Sequence, residues 1–331
     1  MSRRAASADT VATRTAVTAA LRDLPTGATV LVACSGGADS LALAAATAWV
    51  APRSGLIARA VVVDHGLQDG SAQTATSAAQ ACTDLGVPAE VVRVEVGTNG
   101  GPEAAARAAR RRALAEAAVR HGAATVLLGH TQDDQAETVL LRLARGSGAR
   151  SLSAMSRESD PWRRPFLGLP RAVVRRAAQE ALEPLGLSAW DDPHNEDPAF
   201  ARVRVRTLLA ALETELGAGV VRGLARSADL LRDDADALDA MADDAYVAIV
   251  TPGDEGHAAE TSALQALPAA VRTRVIRRMA LASGCPGEDL GIDLVRRIDA
   301  LVVDWHGQGA VQLPGGATAS RVCGRLCLRP A

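Results

Sequence analysis

The chain has 331 residues, 48% of them hydrophobic and 22% charged, enough for one large core and a smaller satellite; length alone predicts about two domains. The formal net charge is −2 and all 36 basic residues are arginines, which excludes a uniformly basic nucleic-acid binder and confines any RNA contact to local arginine patches. No uncharged apolar run of about 18 residues occurs, the start carries no apolar leader, and the five cysteines form no C-x-x-C pair, so a cytoplasmic, reduced protein without a membrane span, zinc ribbon or redox dithiol is expected.

An Ala-rich helix over residues 6–23 comes first. The run GATVLVAC, ending at Cys34, then reads as a buried strand. It enters the polar turn SGGADS and leaves into LALAAATAWV, which is helical by composition. A second strand is expected at residues 59–64, a polar helix through Cys82, a third strand at 90–96 and a strong helix at 103–120. ATVLLGH gives a fourth strand and TQDDQAETVLLRLARG a fourth helix. Continuous apolar strands alternating with helices predict an α/β fold, a parallel sheet with helices on both faces. Three strands end in polar residues at the carboxyl edge, where such sheets bind ligands: Ser35–Ser40, Asp64–His65 and His130–Asp134.

Residues 145–206 read as irregular, rich in Pro and Arg. From Gly217 the pattern is helical, with a long acidic helix, a Gly/Asp loop at 252–257, and helices at 262–282 and 287–305. The end alternates and turns at LPGG, predicting a small β unit in which Cys323 and Cys327 face a core. The predicted domains are 1–214, catalytic, and 215–331, smaller and mostly helical, ending in that β unit.

The turn Ser35-Gly36-Gly37-Ala38-Asp39-Ser40 has the composition of a phosphate loop. Two glycines let the backbone bend close to an anion, and two hydroxyls, the loop amides and a helix N-terminus surround it. It is no Walker A loop, which needs a lysine that this chain does not have. Asp39 is the candidate carboxylate near phosphate and Mg²⁺. At the fourth strand's end, Asp133 and Glu137 lie four apart on one helical face, with Asp134 beside them. An ordinary acidic first turn would look the same; beside a phosphate loop, Glu137 with Asp133 or Asp134 becomes a candidate for serving either the metal or an incoming amine, and Asp39 and Asp133 are the first candidates for Mg²⁺. Asp64, His65 and His130 are candidate nucleotide contacts, although each histidine reads nearly as well as a buried structural residue. Arg202, Arg204 and Arg206 alternate and would share a side if extended, where they suit RNA phosphate.

SGGxDS between strand and helix resembles the phosphate loop of ATP pyrophosphatases. The later blocks VVDHGL, EAAARAAR, GHTQDDQAETVLLRLARGSG, RPFLGLPR and DDPHNEDPAFARVRVR follow in an order that resembles the tRNA(Ile)-lysidine synthase family, as does the closing GQGAVQLPGG. The resemblance implies a carbon–nitrogen ligase that uses ATP and Mg²⁺. Its implied substrates are free L-lysine and an isoleucine tRNA with a CAU anticodon, whose wobble cytidine is adenylated before lysine displaces AMP. It implies that Asp39 and Glu137 are essential and that Arg107 and Arg110 touch substrate or phosphate; Arg145, just before Gly146-Ser147-Gly148 at a helix end, is placed to reach tRNA or nucleotide. The family usually has an aromatic where Arg111 stands, an Asn at Val203 and a base at Gln68, and its longer members carry a second C-terminal module that is not expected here. Two other readings stay open at this stage, a different ATP pyrophosphatase such as a tRNA thiolase, and a non-catalytic RNA-binding module.

Overall fold

The computed structural model describes residues 5–66, 70–97, 101–192, 197–253 and 256–331. Gln68, one of the departures above, lies outside them, as does the middle of the DDPHNEDP block. The chain divides into two compact units, Met1–Asp229 and Leu230–Ala331. The sequence boundary at 214/215 falls in the last turn of a helix of the first unit.

In the first unit, α1 (Ala8–Leu21) precedes β1 (Thr29–Cys34), α2 (Ala38–Arg53), β2 (Ile57–Asp64), α3 (Ser71–Asp84), β3 (Ala89–Arg93), α4 (Pro102–Arg120), β4 (Ala123–Leu127) and α5 (Gln132–Leu143). The short α6 (Ala149–Leu152), β5 (Glu158–Ser159) and β6 (Trp162–Arg163) follow, then α7 (Arg171–Leu182) and α8 (Ala201–Leu216). The sheet order is β3-β2-β1-β4-β6-β5, parallel except at the β5 edge. The chain runs outward from β1 to β3 and returns to β4 on β1's other side. The switch point therefore lies between β1 and β4, and it opens a crevice at their carboxyl ends.

Apolar runs fill both faces of this sheet. Val30, Val32 and Val62 pack under α2, α3 and α7, while Leu31, Val61 and Val126 pack against Leu114 and Ala117 of α4. Alanines such as Ala44, Ala46, Ala78 and Ala81 let the helices lie close. Phe166, in the 3₁₀ turn Pro165–Gly168, is the one phenylalanine with no exposed surface, and it fills the core beside Val174 and Leu182. Replacing it by alanine is expected to cost about 3–5 kcal/mol, because a small-residue core has little large neighbouring volume to collapse inward; urea denaturation of the variant checks this.

The parallel sheet with helices on both faces is as expected, and the structure adds order to the stretch read as irregular. Two-residue strands are too short for a periodic signal, and the amphipathic face of α7 is hidden by its arginines. Arg202, Arg204 and Arg206 lie on a helix rather than an extended segment. Arg202 and Arg206, four apart, share a face, whereas Arg204 turns back to the Pro198 and Ala199 carbonyls.

The second unit carries the rest of α9 (Val220–Ile249), then β7 (Val250–Gly253), β8 (Gly256–Glu260), α10 (Thr261–Gln265), α11 (Ala269–Ala282), α12 (Ile292–Val303), β9 (Val311–Gln312), β10 (Thr318–Val322) and β11 (Arg325–Arg329). Its antiparallel sheet, ordered β7-β8-β11-β10-β9, is larger than the predicted unit because β7 and β8, on either side of residues 254–255, pair with each other and join it. Cys323 does not face a core. It sits exposed in the β10–β11 turn at φ 47°, and Cys327 is only half-buried, because the strand's inward positions belong to Leu326 and Leu328.

Candidate active site

The turn after β1 is built as an anion cradle. Gly36 adopts φ +83°, and a Cβ there would stand 3.0 Å from Ala78 Cβ of α3, so only glycine fits without strain. Gly37 caps α2, leaving the Ala38 and Asp39 amides at the helix start with no carbonyl of an earlier turn to meet. Ser40 braces the turn from inside, its hydroxyl donating to the Gly37 carbonyl at 2.9 Å and accepting from the Ser35 amide at 3.1 Å. From the segment just after β4, Gly129 presses on this turn so closely that a Cβ would come to 3.0 Å from the Asp39 carbonyl oxygen. The ends of β1 and β4 are thus locked together.

Asp39 points into the crevice. Its Oδ2 lies 3.8 Å from Arg171 Nε, and its buried Oδ1 has no hydrogen-bond partner. Burial, and then the neighbouring Asp134 carboxylate, push its pKa up to about 6 against the pull of Arg171 and Arg175. On α5, Thr131 and Asp134 form a capping box, with the Thr131 amide donating to Asp134 Oδ2 at 2.7 Å. Burial opposes ionisation of Asp134, yet the Arg171 charge and the Thr131 amide hold its pKa below the ordinary carboxylate value. Glu137 is 1% exposed; its Oε1 accepts from Arg171 Nη2 at 2.9 Å and Arg206 Nε at 2.8 Å, while Oε2 is buried without a partner. Asp133 turns to the Arg171 amide at 2.7 Å.

Facing these acids is a basic wall. Arg107 and Arg110 of α4 and Arg202 and Arg206 of α8 line a cavity of about 280 Å³ together with Ser35, Asp39, Ser40, His130, Asp134 and the apolar Val61, Val63 and Leu128. Burial, and then the like charges of Arg107, Arg202 and Arg111, pull Arg110 down to about 10, so it stays charged at neutral pH but is set to gain from an anion. Burial, and then Arg164, Arg110 and Arg107, push His130 down to about 3 against Asp134, so its imidazole is neutral; its Nδ1 is buried and unpartnered. Such a cavity can hold phosphates at the loop, a second anion on the arginines and a cation or amine on the acids.

A family model described as "PP-loop domain" matches residues 10–212, and one described as "TilS substrate binding domain" matches residues 260–327. The chain is 56% identical to a tRNA(Ile)-lysidine synthase of Thermobifida fusca, over 95% of each chain. The chain belongs to the tRNA(Ile)-lysidine synthase family. A relative from Streptomyces coelicolor is 53% identical, over 92% of this chain and 86% of its own length. A solved structure, the U34-tRNA thiolase NcsA from Methanococcus maripaludis with its [4Fe-4S] cluster, superposes with a TM-score of 0.57 at 20% identity, over 68% of this chain and 80% of that one, which establishes a shared fold. As a tRNA(Ile)-lysidine synthase the chain is a ligase that forms a carbon–nitrogen bond, uses ATP and acts on tRNA.

Of the candidates read from sequence, the structure gathers Ser35, Asp39, Ser40, His130, Asp134, Arg107, Arg110, Arg202 and Arg206 around the one cavity, with Glu137 attached through Arg206. Arg145 lies elsewhere, exposed beyond the end of α5. Asp64 spends one oxygen on the Gly66 amide at 3.0 Å, closing the turn after β2. His65 Nδ1 is buried and unpartnered, and burial, then Arg110, lower its pKa against Asp64. Sequence reasoning missed Arg171, the hub of the acid cluster. A signal was present: a cation at the first residue of a helix, where the macrodipole disfavours it, is a local anomaly worth a question.

Proposed function

We propose that the chain converts the wobble cytidine of a CAU-anticodon isoleucine tRNA to lysidine in two steps within this single cavity. In the first, the 2-carbonyl oxygen of cytidine attacks the α-phosphorus of ATP and pyrophosphate leaves. The Ala38 and Asp39 amides, the Ser35 hydroxyl and the N-terminus of α2 hold the phosphates in line. In the second, the ε-amine of free L-lysine attacks C2, AMP departs, and Glu137 Oε2 takes the amine's proton. The unpartnered, buried Oε2 of Glu137 is the observation that carries this assignment.

Among the described residues no group of three or more His, Cys, Asp or Glu side chains could hold a metal by itself. Mg²⁺ is ordinarily held by one or two carboxylates together with substrate phosphates, and carboxylates stand beside the phosphate loop here. Asp39 has an unpartnered oxygen to offer, and Asp133, whose Oδ2 accepts from the Arg171 amide, is the second candidate. Mg²⁺ bound there would supply charge neutralisation on the leaving pyrophosphate.

His130 and the backbone around Asp64 and His65 border the adenine, and the α4 and α8 arginines take the lysine carboxylate or tRNA phosphate. Residues 1–214 then hold the chemistry and residues 215–331, with Arg145, position the tRNA. No described helix is long and apolar enough to cross a membrane, and we place the enzyme in the cytoplasm with its substrates.

Two tests follow. Labelled lysine should enter CAU-anticodon isoleucine tRNA, and the mass gain should map to the wobble nucleoside; label elsewhere in the tRNA would refute the reading. Arg110→Lys should lower kcat/KM for lysine or tRNA by about 1–3 kcal/mol, because an ammonium cannot reproduce the guanidinium fork in charge-assisted hydrogen bonds. A merely solvated arginine would lose under ~0.5 kcal/mol on the same change.

A further inference from the structure

We infer that Arg171 is the positioning residue for the amine-transfer step, fixing the carboxylates of α5 and tying them to the phosphate loop. The inference rests on the reading of Glu137 and Asp39 given above and adds a residue outside it.

Four acids converge on this one arginine. Its Nη2 donates to Asp134 Oδ1 at 2.8 Å and to Glu137 Oε1 at 2.9 Å, and its Nε lies 3.8 Å from Asp39 Oδ2. Its backbone amide donates to Asp133 Oδ2 at 2.7 Å. The side chain is 15% exposed, so water does little to screen these contacts. The charges stabilise one another strongly enough that the pKa of Arg171 is driven upward despite burial.

The placement is costly when judged locally. Arg171 opens α7 directly after Pro170, a residue with no side-chain cap, and a cation there meets the positive end of the helix macrodipole. Asp133 compensates from another element, presenting a carboxylate to the first amide of α7. The body of α7 is anchored through Val174, Ala178 and Leu182 in the same core as Leu41 and Leu43 of α2. Arg171 is therefore held in fixed relation to the helix that begins at the phosphate loop.

The consequence is a division between the two oxygens of each key carboxylate. One oxygen of Glu137 receives two guanidinium hydrogen bonds, from Arg171 and Arg206, and the other, Oε2, is buried without a partner. One oxygen of Asp39 faces Arg171, which leaves Oδ1 unpartnered. A single planar guanidinium spanning these acids sets the spacing between Asp39 of the phosphate loop and the carboxylates of α5. An ammonium, a point charge with freely turning donors, cannot hold that fork.

The test uses the full-length enzyme with Arg171→Lys, Arg171→Gln, Glu137→Gln and the double variant Arg171→Gln/Glu137→Gln. Adenylation is followed as lysine-independent pyrophosphate release, and amine transfer as lysine-dependent AMP release in single turnover. Arg171→Lys and Arg171→Gln should each slow amine transfer by about 10- to 100-fold, as expected for lost charge-assisted hydrogen bonds, with a smaller loss in adenylation and in KM for ATP. The double variant should be no slower than Glu137→Gln alone, since Arg171 acts through that carboxylate. Restoration of amine transfer by Arg171→Lys, additive losses in the double variant, or equal losses in both steps would each overturn the inference. If Glu137→Gln leaves amine transfer intact, the reading of Glu137 fails and the inference with it; if it slows amine transfer while the Arg171 variants do not, the inference alone fails. Should Arg171→Gln not fold, Arg171→Lys, which keeps length and charge, carries the same comparison.

Discussion

Asp39→Asn should abolish adenylation while leaving the protein at least as stable as the native form. The substitution keeps the shape of the side chain and removes only its charge. Asp39 is held where its charge is unwelcome, as its pKa of about 6 records, with burial first and the Asp134 carboxylate second among the causes. An acid whose pKa is raised on folding contributes less stability as pH climbs from its unfolded value toward the folded one, so neutralising it relieves the fold at pH 7. The same charge is what the reaction needs beside the phosphates. Losing one preorganised electrostatic contact of this kind costs on the order of 10²–10³-fold or more in rate. Lysine-independent pyrophosphate release and a thermal melt, run on the same preparation, check both halves. A variant that still releases pyrophosphate would remove Asp39 from the chemistry, and one that melts well below the native protein would make it a structural residue.

Glu137→Gln is the second large effect, and its signs differ. Here the carboxylate is stabilising: it is 1% exposed and takes hydrogen bonds from Arg171 at 2.9 Å and Arg206 at 2.8 Å. The amide keeps an acceptor but brings an NH₂ into a space lined by guanidinium donors, and Arg206 loses its charge partner. A stability loss of about 1–3 kcal/mol is expected, below the full cost of an orphaned buried charge because Arg171 retains Asp134. Amine transfer should fall by about 10²–10⁴-fold, the usual contribution of a general base, while adenylation falls less. Single-turnover AMP release at saturating lysine measures this. Equal decline of both steps would show that Glu137 supports the fold of the site and takes no proton.

The parts of this site that lay within a few residues of one another were legible in the sequence. Ser35 through Ser40 announced themselves because strand, glycine turn and apolar helix are contiguous, and the Thr131–Asp134 capping box follows from spacing alone. Arg107 and Arg110 share a cavity wall because one helical turn separates them. What the sequence concealed was long-range pairing. Arg171 meets Asp134 and Glu137 across 37 and 34 residues of chain, and nothing in the local pattern of RPFLGLPR says which acids it will find. The stretch from Arg202 to Arg206 misled for a different reason. Alternating Arg and Val is the period of a strand, yet the segment lies on a helix, where Arg202 and Arg206 share the cavity face and Arg204 does not. Cys323 failed as a core residue because it sits at the turn, where alternation ends.

Adenylation at the phosphate loop precedes amine capture at the acid cluster in the proposed sequence, with the activated tRNA held between them. The direct measurement is a single turnover of the native enzyme with CAU-anticodon isoleucine tRNA and ATP labelled in the α- and γ-phosphates, started without lysine and supplied with it later. Pyrophosphate should be released promptly, with the α-label retained on tRNA, and AMP should follow only when lysine arrives. Pyrophosphate that appears only after lysine is added, or AMP released freely without it, would rule out this order of steps.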